Sequence, residues 1–255
     1  MEQNEVLALF DRQLRREARP EGPGVTVERV GDVVRQVGPR HAWNGVLWSG
    51  LDEDAADAAV AEQVRFFGSR GLEFEWKLYG HDRPADLADR LLAAGFAPEP
   101  AETVMVARVA DLDTTAGPPE GVRLVQVTDR AGVDSLARVH ELAFGTAADR
   151  LRDHLLERLS DDEVVSVLAM AGDEPISAAR LDLYPGTSFA GLWGGGTAPG
   201  WRGRGVYRAL VAFRARIAAA RGHEYLQVDA SDQSRPILLR LGFVPLTVTT
   251  PYVHP

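Results

Sequence analysis

The chain has 255 residues, a formal net charge of −9, 45% hydrophobic and 25% charged residues, and no cysteine. That length holds one large domain or two small ones with real cores, and the lack of cysteine excludes a disulfide framework, a thiolate metal site and a cysteine nucleophile. The acidic balance argues against a nucleic-acid partner. The start MEQNEVLALF lacks the basic, then apolar pattern of a signal peptide, and no run approaches the roughly 18 apolar residues of a membrane helix, so a cytoplasmic enzyme or binding protein without a membrane partner is expected.

In the first half, DEDAADAAVAEQVRFF from Asp52 predicts a helix. Arg70–Phe96 then predicts a strand, a polar turn and a Pro-containing helix closed by Gly-Phe, and ETVMVARV from Glu102 predicts an extended run. DLDTTAGPPE (Asp111–Glu120) is polar and rich in Gly and Pro, as a linker is. In the second half Gly121–Val127 predicts a strand, Arg130–Phe144 and Ala147–Leu159 amphipathic helices, and EVVSVLAMAG with PISAARLDLY a hairpin turning near Gly172–Pro175. Ser188–Ala198 predicts a strand, Val206–Ala220 a helix, EYLQVDA a strand, and Ser234–Leu241 a short helix ended by Gly242. A final strand follows.

The two halves share an order of elements. RGLEFEWKLYGHDRPADLADRLLAAGF and RGHEYLQVDASDQSRPILLRLGF both open on Arg-Gly with Glu two residues later, and both close on Gly-Phe. Each follows a helix and precedes an extended run. The period is too long for a solenoid, so the pattern predicts a duplicated α+β domain, with modules at 1–112 and 121–255 joined by a linker at 113–120.

Gly191–Gly205 holds seven glycines, and the predicted helix follows at once. No Asp or Glu occurs from Leu183 to His223, while Arg202, Arg204, Arg208, Arg214, Arg216 and Arg221 all do. The first turn of a helix leaves backbone N–H groups unpaired and partly positive. Glycines beside it let a ligand reach those groups, and arginines add charge-assisted hydrogen bonds, so the stretch predicts a phosphate cradle. A solvated, arginine-rich helix face is the plainer reading. No Gly-Lys-Ser/Thr follows the glycines and no G-x-G-x-x-G is present, which removes the P-loop and the dinucleotide fingerprint.

Arg202-Gly203-Arg204-Gly205-Val206-Tyr207 after an extended strand resembles motif A of the GCN5-related N-acetyltransferase (GNAT) superfamily, and DASDQSRPILLRLGF resembles its motif B. The resemblance implies a three-layer α/β/α fold with a mixed, mostly antiparallel twisted sheet, in two tandem modules of the α+β class. The first module has no Arg-x-x-Gly pattern, and Asp52, Glu53, Asp54 and Asp57 stand where its motif A would be. It is therefore expected to be degenerate. The resemblance implies acetyl-CoA as co-substrate, its pyrophosphate at Arg202, Gly203, Arg204, Gly205, Val206 and Tyr207. Its pantetheine arm would lie along Gly195, Gly196, Thr197 and Ala198, with Ser234 nearby, and the bare backbone of Gly194–Gly196 suits such an arm. Two positions depart from the family pattern: Tyr207 replaces Gly or Ala, and Leu238 replaces a tyrosine that serves as general acid.

With no thiol nucleophile and no Ser–His–Asp pattern, acetyl transfer is expected to be direct, requiring a base for the acceptor and an acid for the leaving thiolate. Candidates are Asp182 and Tyr184 at the end of one strand, Asp229 and Ser231 at the end of another, and Tyr252 in TPYVHP. Helix capping is the favoured plain reading for Asp229, core packing is as good a reading for Tyr184, and His140 and His154 are read as structural. No residue pattern has metal-ligand spacing. The acceptor is a small-molecule or peptide amine, and monomer and homodimer both remain open. The rival readings are a non-catalytic acyl-CoA-binding or sensor protein and another phosphate-ligand module.

Overall fold

The computed structural model of the chain describes residues 2–255. Its elements are α1 (Gln3–Phe10), β1 (Thr26–Val30), β2 (Val33–Val37), β3 (Gly45–Ser49), α2 (Ala56–Gly68), β4 (Phe74–Tyr79), α3 (Leu87–Ala93), β5 (Ala97–Pro98) and β6 (Glu102–Arg108). There follow β7 (Val122–Gln126), α4 (Arg130–Phe144), α5 (Asp149–Glu157), β8 (Val164–Ala171), β9 (Glu174–Leu183), β10 (Phe189–Thr197), α6 (Val206–Ala220), β11 (Tyr225–Ala230), α7 (Arg235–Arg240) and β12 (Val244–His254). The bounds of α4 and α6 coincide with those predicted, and α5 is shorter at both ends. Among the described residues no helix is long and apolar enough to cross a membrane.

The chain divides into two compact units. The first comprises Met1–Val104, Asp229–Arg235 and Pro245–Pro255, and the second Met105–Val228 and Pro236–Val244. In the first unit the strands run β1-β2-β3-β4-β12, with β5 on β12. β3 and β4 are parallel, while β12 lies antiparallel to β4 from Thr249↔Tyr79 to His254↔Phe74. Strand alternation puts Phe74 and Trp76 on one face, where they pack with Val60 and Phe67 of α2 and Leu87 and Leu91 of α3. Tyr79 faces the other way and meets Phe10 of α1 edge-on.

In the second unit the order is β11-β10-β9-β8-β7. β10 and β11 are parallel, and the other pairs are antiparallel. Leu168 and Ala178 turn toward Val133, Leu136 and Val139 of α4 and Leu155 of α5. Val167, Ala169 and Ala179 turn the other way, toward Val206 and Leu210 of α6. Each unit is thus a sheet between two helical layers. α4 is well bounded: Asp129 accepts a hydrogen bond from the Gly132 amide at 2.8 Å as N-cap, and Gly145 ends the helix at φ 73°.

The repeated Arg-Gly and Gly-Phe pairs are helix ends. Gly71 and Gly222 have φ of 62° and 80°, and terminate α2 and α6. Gly95 and Gly242 both have φ of 94°, and the next residue's amide reaches back to a buried leucine carbonyl, Phe96 to Leu91 and Phe243 to Leu238. Only glycine adopts this conformation freely, so the repeat stands in the sequence as a pair of glycine signatures.

Candidate functional site at the fork of β10 and β11

β10 and β11 pair only from Phe189↔Tyr225 to Gly191↔Gln227. β10 then continues from Leu192 to Thr197 beyond the last pair, a run of about 20 Å at about 3.3 Å per residue. The two parallel strands therefore fork at Gly191 and Gln227. On its other edge β10 stays joined to β9, with a bulge between Trp193 and Gly196 where Gly194 takes φ 59°. Ser177 holds the far end, donating to the Gly196 carbonyl at 2.7 Å and sharing a hydrogen with Thr197 Oγ1 at 2.8 Å. The Ala198 amide donates to Ile176 O at 2.8 Å.

The chain then enters the loop before α6. Gly203 and Gly205 take φ of 74° and 85°, and a Cβ on either would meet open space. Gly205 is the N-cap of α6, and no side chain caps that end. Alternating left-handed glycines turn successive amides toward one side, a geometry suited to an anion. Arg202, Arg204 and Arg208 are exposed around it. Cations at a helix N-terminus oppose the helix dipole, and an anion held there would remove that conflict. Of the three, Arg202 is already engaged, with Nε donating to Thr197 O at 3.0 Å and an Nη to Ala143 O at 2.9 Å. It ties the loop to the end of α4. Arg204 lies over the Trp201 ring at 4.9 Å.

Two glycines of the triplet, Gly195 and Gly196, are also required by helix packing. A Cβ on Gly195 would stand 2.8 Å from Tyr207 Cε2, and one on Gly196 would stand 2.8 Å from Ala143 Cβ and Phe144 Cε2. The two faces of β10 are covered there by α6 and α4, so these glycines admit helices, and only the strand edge facing the fork is left for a ligand. Tyr207 is accordingly a packing residue over Gly195, and burial pushes its phenol pKa up while Arg214 draws it down. Arg214 is 1% exposed and donates to Leu210 O at 3.1 Å and Arg180 O at 3.0 Å. Burial depresses its guanidinium to about 10, against the pull of Tyr207, so it stays charged at neutral pH.

At the closed end of the fork, register places Asp182, Gly191 and Gln227 side by side on one face. Tyr184 and Trp193 share that face by alternation. Trp193 Nε1 donates to Tyr184 Oη at 3.0 Å. A Cβ on Gly191 would lie 2.5 Å from each of those atoms and 3.1 Å from Gln227 Nε2. Gln227 is 4% exposed and its Oε1 has no protein donor among the described residues. Asp182 is buried in an ion pair with Arg180, Nε to Oδ1 at 2.8 Å. Of the five catalytic candidates, Asp182 and Tyr184 lie in this group, which also includes Gly191, Trp193 and Gln227, residues that single-strand reading passes over. Their signal is visible only once 191, 193 and 227 are known to share a face.

The other candidates belong to the first unit. Asp229 is paired with Lys77, Nζ to Oδ2 at 2.5 Å. Burial opposes the charge on Lys77, yet Asp229 raises its pKa well above the ordinary lysine value. Near them Glu75 accepts from Trp43 Nε1 at 2.8 Å. Burial, then the charge of Asp229, pushes Glu102 up to about 7. Ser231 and Ser234 share a turn in which the Ser234 amide donates to Ser231 O at 3.0 Å. Tyr252 is 8% exposed in the core beside Trp76. Leu238, at the motif B position, is fully buried. His140 lies on α4 with its ring 4.7 Å from Phe144, and burial lowers its pKa.

A sheet with a parallel fork leading to a glycine-bounded helix, beside a first unit that also has a parallel strand pair with a helix between, defines a tandem GNAT fold. Residues 133–243, most of which lie in the second unit, match the model of the acetyltransferase (GNAT) family. Solved structures agree over the whole chain. A GCN5-related N-acetyltransferase from Kribbella flavida has 16% identity and a TM-score of 0.72, the match covering 98% of this chain and 95% of that one. A functionally unknown conserved protein from Staphylococcus epidermidis has 11% identity and a TM-score of 0.71, covering 93% and 96%. A tandem GNAT protein from the clavulanic acid biosynthesis pathway has 14% identity and a TM-score of 0.65, covering 99% and 94%. No curated protein matches the sequence.

Proposed function

We propose that this protein is a cytoplasmic acetyl-CoA-dependent N-acetyltransferase acting through its second unit. The fork of β10 and β11, opening toward the uncapped, arginine-ringed start of α6, is the observation that carries the reading. Gly203, Arg204, Gly205, Val206 and Tyr207 would hold the pyrophosphate through backbone amides, with Arg204 and Arg208 adding charge. The edge of β10 through Gly195, Gly196, Thr197 and Ala198 would line the pantetheine arm, while Arg202 positions the loop. Bound there, acetyl-CoA supplies an activated acetyl group, and holding it beside an amine removes much of the entropic cost of their encounter. The acceptor is an amine of a small molecule or peptide. We also propose that modules 1–112 and 121–255, joined at 113–120, descend from one duplicated domain, on the strength of the matched glycine helix ends.

Calorimetry with CoA, acetyl-CoA and ATP tests the donor. Micromolar binding of CoA without ATP binding is expected, and the reverse would overturn the reading. Release of free thiol with a panel of amines tests turnover, and the chain contributes no thiol of its own. One observation favours a second reading: the motif position for a general acid holds the buried, apolar Leu238. CoA binding without turnover on any amine would support a non-catalytic acyl-CoA-binding protein.

A further inference from the structure

We propose that Tyr184 is the proton donor to the CoA sulfur, and that Trp193 is the residue that positions it. The inference rests on the reading of β10 and α6 as the CoA site. If the pyrophosphate lies at Gly203–Val206 and the arm follows the free edge of β10 back from Thr197, the arm ends where the strands rejoin, at Gly191 and Gln227. The polar atoms converging there are Tyr184 Oη, Trp193 Nε1 and Gln227 Nε2, all within 3.1 Å of one point above Gly191.

The placement is built rather than incidental. Tyr184 stands at the end of β9, and its hydroxyl reaches across β10 only because Gly191 has no side chain. The Trp193 indole N–H donates to Tyr184 Oη at 3.0 Å, and indole is a donor only. The phenolic oxygen therefore takes the role of acceptor toward Trp193 while carrying its own hydrogen to donate. An N–H already directed at that oxygen favours the phenolate that proton donation leaves behind. Asp182 and Arg180, on the same face, are engaged with each other, and His140 stands next to Phe144 on α4, which packs on that side of β10.

The step balances simply. The amine lone pair forms the C–N bond at the thioester carbonyl carbon. The C–S bond breaks with its electron pair on sulfur, and the Tyr184 proton passes to sulfur. The surplus proton of the new amide nitrogen goes to solvent, and solvent restores the proton to Tyr184.

The test uses bound CoA alone, without an acceptor. The acid constant of its thiol is read from thiolate ultraviolet absorbance across pH, on a protein with no cysteine of its own. A hydrogen bond from Tyr184 to the thiolate makes that constant about tenfold larger in the wild type than in Tyr184→Phe. Trp193→Phe moves it the same way by about threefold, a change that mere packing by Trp193 would not produce. Both variants bind CoA normally at pH 6, where the thiol is neutral. Equal constants in wild type and Tyr184→Phe, with CoA bound to both, would overturn the assignment while leaving the CoA site intact. Failure of the wild type to bind CoA would overturn the site itself and the assignment with it. Should Tyr184→Phe fail to fold, the Trp193→Phe comparison decides.

Discussion

α2 and α6 each follow a strand that pairs in parallel with the next one, and each ends at a left-handed glycine. Their first turns carry opposite charge. Asp52, Glu53, Asp54 and Asp57 stand at the start of α2, the Ala55 amide donates to Asp52 Oδ1 at 2.8 Å, and Arg90 pairs with Asp57 at 3.0 Å. The chain supplies its own anions there. α6 begins with two left-handed glycines, no capping side chain and arginines that oppose its dipole. Two units with a similar order of elements thus differ in what satisfies the helix N-terminus. In the first unit it is the protein, which gains stability. In the second the amides stay available for a ligand, and the helix end is correspondingly less stable alone.

The strongest way to break this comparison is Gly205→Val. A β-branched residue at φ 85° is strained by about 1–2 kcal/mol and displaces the loop, and its side chain enters the open space ahead of α6. CoA affinity measured by calorimetry is expected to fall at least about a hundredfold, with circular dichroism unchanged. The matched change in the first unit, Asp52→Ala, is expected to leave CoA affinity as it was and to lower stability by about 1 kcal/mol in urea unfolding. Next in size is Gly196→Ala. Its Cβ would stand 2.8 Å from Ala143, so α4 and β10 must separate, and stability should drop by about 1–3 kcal/mol.

Arg204→Ala sharpens the electrostatic half of the contrast. Loss of one exposed cation should weaken CoA by about fivefold at low salt, with a smaller difference at high salt, because screening already reduces its contribution. The smallest effect is expected in the first unit. Glu102 is raised by burial and by Asp229 from an ordinary value near 4.5 to about 7. Between those pH values the folded state holds a proton that the unfolded state has released, so stability falls as pH rises through this window. Glu102→Gln, neutral throughout, should melt a few degrees above wild type at pH 8 and level with it at pH 4. Equal melting at both would show that the carboxyl ionises without cost.

What local sequence could settle, it settled. The bounds of α4 and α6, the left-handed helix ends at Gly71, Gly95, Gly222 and Gly242, the missing thiol chemistry and the place of the glycine–arginine loop are all matters of periodicity, conformational freedom and composition. These are properties of neighbouring residues and so are written in order along the chain. Tertiary structure decided the rest. Gly195 and Gly196 are bare because Tyr207, Ala143 and Phe144 come down on them, and Arg202 spends two donors on carbonyls. Asp229 is answered by Lys77, 152 residues away. Tyr184 meets Trp193 above Gly191 because strand register, which no single strand contains, puts them on one face.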